Sequence, residues 1–170
     1  MTFSNVALSL HTSPKQTIYM QLTRAADYAV RVLIHLASQP AHTRASRAGL
    51  AEAAECPEQF LSKVLQSLTR AGLVVSHRGN TGGFELSASR QDVTLLDVVE
   101  AIEGPVRLNL CLTSEEACAR HGVCPAHPVW AEAQRAMLDV LRKCTIHDLA
   151  HPAEKHSGNG NGSGGSLPRG

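Results

Sequence analysis

The chain has 170 residues, enough for one domain or one small domain plus an appended element. Apolar residues make up 43% of it, an ordinary share for a globular chain with a modest core. The net charge is only +1, so composition does not announce a nucleic-acid binder and any basic patch has to be local.

The longest apolar runs are too short for a membrane span; the run 29 to 36 is interrupted by Arg31 and His35. The opening MTFSNVALSLHTSPKQTIYM has no basic segment before its brief apolar patch, so no secretory signal is expected and a cytoplasmic location is. There, thiols stay reduced, and close-set cysteines bind metal or do redox work more often than they form disulfides. The odd number of cysteines, five, also speaks against a fully paired framework.

Residues 1 to 19 show no period and read as a disordered extension, with Met20 as the functional start. A helix is predicted over 23 to 38, with Ala26, Val30, Leu33, Ile34 and Ala37 as its core stripe. Ser46 caps a short helix reaching about residue 55. Pro57 opens a third helix that runs to Ala71, with Gly72 just beyond its end. Its apolar face is Phe60, Leu61, Val64, Leu65 and Leu68; the opposite stripe is Gln59, Ser62, Lys63, Gln66 and Arg70. That stripe fits a solvated surface as well as a working one.

Two short β segments follow, around Val74–Val75 and Phe84–Leu86, joined by RGNTGG with Arg78 and Asn80 near its tip. Short helix, turn, amphipathic helix and basic-tipped hairpin is the order of a winged helix-turn-helix. In that arrangement Gln59, Ser62, Lys63 and Gln66 suit base edges in the major groove, while Arg70 and Arg78 suit phosphates or, for Arg78, a narrow minor groove. Residues 20 to 87 hold seven basic and five acidic side chains, a net of only +2, so useful affinity would need a dimer.

Thr94 and Asp97 form a capping-box-like start to the helix TLLDVVEAIEG. Then comes CLTSEEACARHGVCPAHP, a loop with Cys111, Cys118 and Cys124 in the pattern C-x₆-C-x₅-C and His127 three residues later. The spacing is wider than a paired zinc knuckle, and an iron–sulfur cluster, zinc or unliganded thiols all remain open. A long helix follows over 128 to 143, with Trp130, Ala133, Met137, Val140, Leu141 and Cys144 on one stripe, as expected of a dimer seam. Cys144 reads as a small core residue and Cys56 as turn packing, with a redox role for Cys56 the alternative. The end, 151 to 170, is Gly/Ser/Asn-rich and expected to be disordered. His35, His121, His147 and His151 share no ligand spacing and read as fillers. The fold class is therefore mainly α with a small β-hairpin wing: a winged helix-turn-helix domain at 20–87, then a cysteine loop and long C-terminal dimerisation helix at 88–150.

The stretches MQLTRAADYAVRVLIHLA, FLSKVLQSLTRAGLVVSHRGNTGGFEL and TLLDVVEAIEGP, together with the three-cysteine loop, resemble the IscR, NsrR and RirA type of winged-helix iron–sulfur regulators. The resemblance runs from residue 20 to about residue 150. It implies a homodimer on double-stranded DNA at a palindromic promoter operator, acting as a repressor gated by iron status, nitric oxide or redox stress. It implies that Cys111, Cys118 and Cys124 ligate a 2Fe–2S or 4Fe–4S cluster. The fourth ligand would be His127, as in members with a Cys₃His site, or Asp27, eighth from Met20, as in members using a first-helix carboxylate of the partner. Six residues separate Cys111 from Cys118 here, where five is more usual. The alternatives are a cluster-free winged-helix regulator answering to thiols or a partner, and a zinc-structural or electron-transfer protein. No nucleophile–base pair or phosphate-binding Gly-rich loop is present in the sequence, so an enzyme is not expected.

Overall fold

The computed structural model describes residues 22–79, 82–88 and 92–152. The extension 1–19, Asn80 at the hairpin tip and all but the first two residues of the tail 151–170 lie outside the described residues.

Helix α1 spans Arg24–Ala37 and starts where the Thr23 hydroxyl accepts the Ala26 N–H. Its buried side chains are Ala26, Ala29, Val32, Leu33 and Leu36. The predicted stripe is thus rotated: Val30, Ile34 and Ala37 are only partly buried at the core's edge. The reason is tertiary, because α1 packs against elements on several sides and buries a face broader than one periodic stripe. Helix α2 is Arg47–Ala53, capped by Ser46 through the Gly49 N–H at 3.1 Å. Helix α3 is Glu58–Arg70; Pro57 is its N-cap, one residue outside the helix it was expected to open.

Leu61, Val64, Leu65 and Leu68 of α3 are buried. Phe60, expected beside them, is 39% exposed and meets Tyr28 edge-on at 5.7 Å. Strands β1 (Val74–His77) and β2 (Gly83–Leu86) pair antiparallel, Val74 opposite Leu86 and His77 opposite Gly83. A short bridge between Ala45 and Phe84 ties the hairpin to the α1–α2 connection. Order, pairing and helix faces make a winged helix-turn-helix, as the sequence predicts.

Helix α4, Leu95–Glu103, begins with the full Thr94/Asp97 capping box and ends at Gly104, whose φ of 79° favours glycine. Two 3₁₀ turns, Leu110–Leu112 and His121–Val123, give form to the cysteine segment. Helix α5 is His127–Lys143, and α6, Ile146–Ala150, opens with a second capping box, Thr145/Asp148. His127 is the first residue of α5, whose N-cap is Ala126.

One core spans these parts. Val93, Val98 and Ile146 join the buried side chains of α1, α2 and α3 in a single cluster. The Leu95 N–H donates to the Cys144 carbonyl at 2.8 Å, and the Ile146 N–H to the Val93 carbonyl at 2.8 Å. The start of α6 is thereby stitched to the start of α4. Helix α5 differs: of its residues only Leu138 is buried, while Val129, Trp130 and Val140 are 65%, 41% and 67% exposed. Cys144 caps its end half-buried rather than lying in the core.

Leu61 is fully buried at the middle of the cluster. Leu61→Ala is expected to destabilise by about 2–5 kcal/mol in urea unfolding, whereas Gln59→Ala, two residues away on the outer face, should stay within about 0.5 kcal/mol.

Candidate nucleic-acid interface and metal centre

The burial of four α3 side chains decides where its other face looks. Gln59, Lys63, Gln66 and Arg70 are exposed, and Ser62 is half-buried. The Ser62 hydroxyl is engaged with the Glu58 carbonyl at 3.1 Å, one turn earlier. An open groove of 520 Å³ separates this face from the hairpin; its polar lining is Arg47, Ser62, Gln66, Thr69, Arg70 and Ser76. Arg47, Thr69 and Ser76 were not legible as site residues. Arg47 belongs to α2 and reaches the groove only because α2 packs beside the start of α3, where it pairs with Glu58 at 3.5 Å.

The turn between α2 and α3 is set by Glu55, whose φ of 52° is uncommon for a residue with a side chain. Cys56 follows, buried, its N–H bonded to the Ala51 carbonyl at 2.9 Å. Burial pushes the Cys56 thiol above its ordinary range, which favours the packing role over the redox one. Arg78 leaves β1 exposed at the wing. The wing turn needs glycine at Gly82, where an added Cβ would lie 2.5 Å from the His77 carbonyl oxygen.

The cysteine loop presents a different surface. Cys111 sits buried in the first 3₁₀ turn, while Cys118 and Cys124 are half-buried; all five cysteines are free thiols. Backbone bonds shape the loop: the His121 N–H donates to the Cys118 carbonyl at 2.9 Å and the His127 N–H to the Cys124 carbonyl at 3.1 Å. Hydrogen bonds from its own backbone N–H and from Ser114 hold the Glu116 carboxyl below its usual range.

An open pocket of 270 Å³ is lined by Cys111, Ser114, Glu115, His121 and His127, among others. The His121 and His127 rings meet edge-on at 4.2 Å, and Nδ1 of His127 is buried with no hydrogen-bond partner. His121, read from sequence as a filler, therefore belongs to this pocket; loop folding brings it there, not spacing. Cys118 and Cys124 are not among the pocket's lining side chains. Among the described residues, no three His, Cys, Asp or Glu side chains are drawn together closely enough to hold a metal ion. The donor chemistry nevertheless suits an iron–sulfur cluster, since thiolates ligate iron and a buried imidazole nitrogen without a partner is a free donor.

Asp27 lies elsewhere, on the outer face of α1, paired with Arg31 at 2.8 Å. Arg31 also reaches Glu55 at 3.1 Å. The bond to Asp27, more than its charge or Glu55, raises the Arg31 pKa above the ordinary value. This is an i, i+4 ion pair on a partly exposed helix face.

Comparison with known proteins decides the family. The sequence matches Rrf2, described as an iron-dependent transcriptional regulator, over residues 22–152. The chain belongs to the Rrf2 family. It is 33% identical over 131 residues to the HTH-type transcriptional regulator NsrR of Shouchella clausii, covering 76% of this chain and 88% of that one. Among solved structures it resembles CymR, the global cysteine regulator of B. subtilis, with a TM-score of 0.64 and 27% identity, covering 79% of this chain and 99% of that one. IscR of T. potens shares the fold at a TM-score of 0.63 and 22% identity, over 84% of this chain and 94% of that one. This Rrf2 member is thus a transcriptional regulator of the winged-helix class, a class that binds DNA. No helix among its described residues is long and apolar enough to cross a membrane.

Thiol accessibility follows from these positions. In the reduced, metal-free chain, mass-spectrometric mapping of alkylation should find Cys118 and Cys124 modified well before Cys56 and Cys111. Cys56 reacting as fast as Cys118 would contradict its burial.

Proposed function

We propose that this Rrf2 regulator is a homodimeric repressor whose grip on a palindromic promoter operator is gated by an iron–sulfur cluster, 2Fe–2S or 4Fe–4S. The observation that carries the cluster reading is the buried, unpartnered Nδ1 of His127 in a pocket shared with Cys111. Cys111, Cys118 and Cys124 would hold the cluster, with His127 as fourth ligand. Asp27 is the weaker candidate for that place because Arg31 already occupies its carboxylate. A bound cluster supplies a link among separated loop side chains that iron loss, nitric oxide or oxidation can break.

The chain's own residues do the rest. Gln59, Lys63, Gln66 and, once freed from Glu58, Ser62 offer base-reading groups, and Arg47, Arg70 and Arg78 offer phosphate contacts. The wing segment around Asn80 would join them. The exposed Val129, Trp130 and Val140 of α5 suit a seam with a second copy, which would set two α3 helices at half-site spacing. Loop, α5 and α4 pack in series onto the core beneath α3, so a change in the loop can reach that spacing. The likeness to a cysteine regulator supports a second reading, a cluster-free sensor working through thiols or a partner protein.

Anaerobic isolation separates the two. The cluster reading expects a coloured protein carrying iron and sulfide, with the colour lost in the triple variant Cys111→Ala/Cys118→Ala/Cys124→Ala. A colourless chain that cannot be reconstituted contradicts it. Lys63→Ala and Arg78→Ala should each weaken duplex DNA binding, and Arg78→Ala should lower the salt slope by about one phosphate contact. Unchanged affinity in both would remove the DNA-binding role of this face.

A further inference from the structure

The base of the wing holds a charge cluster that the DNA-binding reading leaves unused. Glu85 on β2 is a carboxylate with only 13% of its side chain exposed. Three nitrogen-bearing side chains converge on it. His77 Nε2 lies 3.0 Å from Oε2, Arg44 Nε 3.5 Å from Oε2 and His42 Nδ1 3.7 Å from Oε1. His77 Nε2 is buried and has no aligned hydrogen-bond partner, so the carboxylate is the group it faces.

The partners come from two places. His77 is on β1, on the same face as Glu85: Glu85 sits opposite Val75, and His77 is two residues along from Val75. His42 and Arg44 belong to the connection between α1 and α2, outside the hairpin. That connection is turned toward the wing by an unusual backbone, since His42 has a φ of 65°. It is joined to the wing by the Ala45–Phe84 bridge, with bonds of 2.9 Å in both directions. Gly83 permits this approach, because a Cβ there would lie 2.8 Å from the Ala45 carbonyl oxygen.

A two-stranded hairpin is marginal by itself in water. Of the eight strand residues here only Val74 is buried, so the direction of the wing depends on what ties down its base. A mostly buried carboxylate is a tie at its inner side, because removing it leaves the buried Nε2 of His77 facing no acceptor, while the outer partners His42 and Arg44 remain open to water. Arg78, the wing's cation, is bonded directly to His77 in sequence.

We infer that Glu85 is a positioning residue for the DNA interface. Through His77, Arg44 and His42 it fixes the wing to the α1–α2 connection and so sets the position of Arg78, the exposed residue that follows β1. The inference rests on the DNA-binding reading of that face, and it makes a prediction opposite in sign to simple electrostatics. Deleting a negative charge beside a DNA-binding surface should by itself tighten binding. Glu85→Gln should instead loosen it, because Arg78 loses its place.

The test uses the full chain and a random-sequence duplex of about 30 base pairs, since a phosphate contact does not require the operator. Glu85→Gln is expected to weaken binding by about three- to tenfold and to lower the salt slope by about one phosphate contact. Arg78→Ala should cost little more in the Glu85→Gln background than Glu85→Gln alone, since the two act through one contact. Glu85→Asp should recover part of the loss. His77→Gln, tested the same way, should also be non-additive with Arg78→Ala, and it decides the matter if Glu85→Gln fails to fold. Folded Glu85→Gln binding as tightly as wild type or tighter, or losses that simply add, would overturn the inference and leave the DNA-binding reading intact. A wild-type chain that ignores the duplex would overturn both.

Discussion

Burial of Leu61, Val64, Leu65 and Leu68 is the constraint on which the rest depends. Each of these four side chains is at most 2% exposed, and together they fix α3 against rotation about its axis. Once that face is inward, geometry alone sends Gln59, Lys63, Gln66 and Arg70 outward, because a helix with one apolar stripe has no other arrangement. The outer face is thereby left to solvent and to the groove beside the hairpin. Arg47 and Ser76 join it from neighbouring elements that the same core holds in place.

That core also joins the two ends of the account. Ile146, near the end of the described chain, lies in one cluster with α1 and α3, and its N–H is bonded to Val93 at the start of α4. Helix α1 touches α2, α3, α4 and α6. The Thr23 hydroxyl meets the Glu103 carboxylate, pinning the start of α1 to the end of α4. The cysteine loop hangs between α4 and α5, so it is attached to the reading head through packed helices rather than a free tether. Packed helices shift between discrete arrangements more readily than they deform continuously. In the proposed dimer, this packing would carry a local event at the loop to the spacing of the two α3 helices.

The parts of the fold that sequence made legible are those governed by local rules. Ser46, the Thr94/Asp97 box and Gly104 mark helix ends by hydrogen bonds within a few residues, and each is found where its pattern places it. The side chains misread were those whose fate is tertiary. Val30 and Ile34 were expected in the core, but α1 turns Ala29, Val32 and Leu36 inward because neighbours surround it. Phe60 sits at the rim and finds Tyr28 instead of the interior. The Glu85 cluster was invisible because His42, Arg44, His77 and Glu85 come from three separate segments of sequence. His121 was passed over because its ring meets His127 only after the loop closes. The three cysteines were conspicuous from their crowding, yet spacing left cluster, zinc and free thiol open, and only the family resemblance narrowed the choice.

The central claim is that loop and reading head are thermodynamically coupled. Its most direct test is duplex affinity, measured on the chain's own promoter DNA with one anaerobic preparation before and after cluster removal. Coupling between sites in a protein of this kind amounts to about 5- to 150-fold in affinity. The account predicts a change in that range. Equal affinity in the two states would contradict it, even if the cluster itself is present.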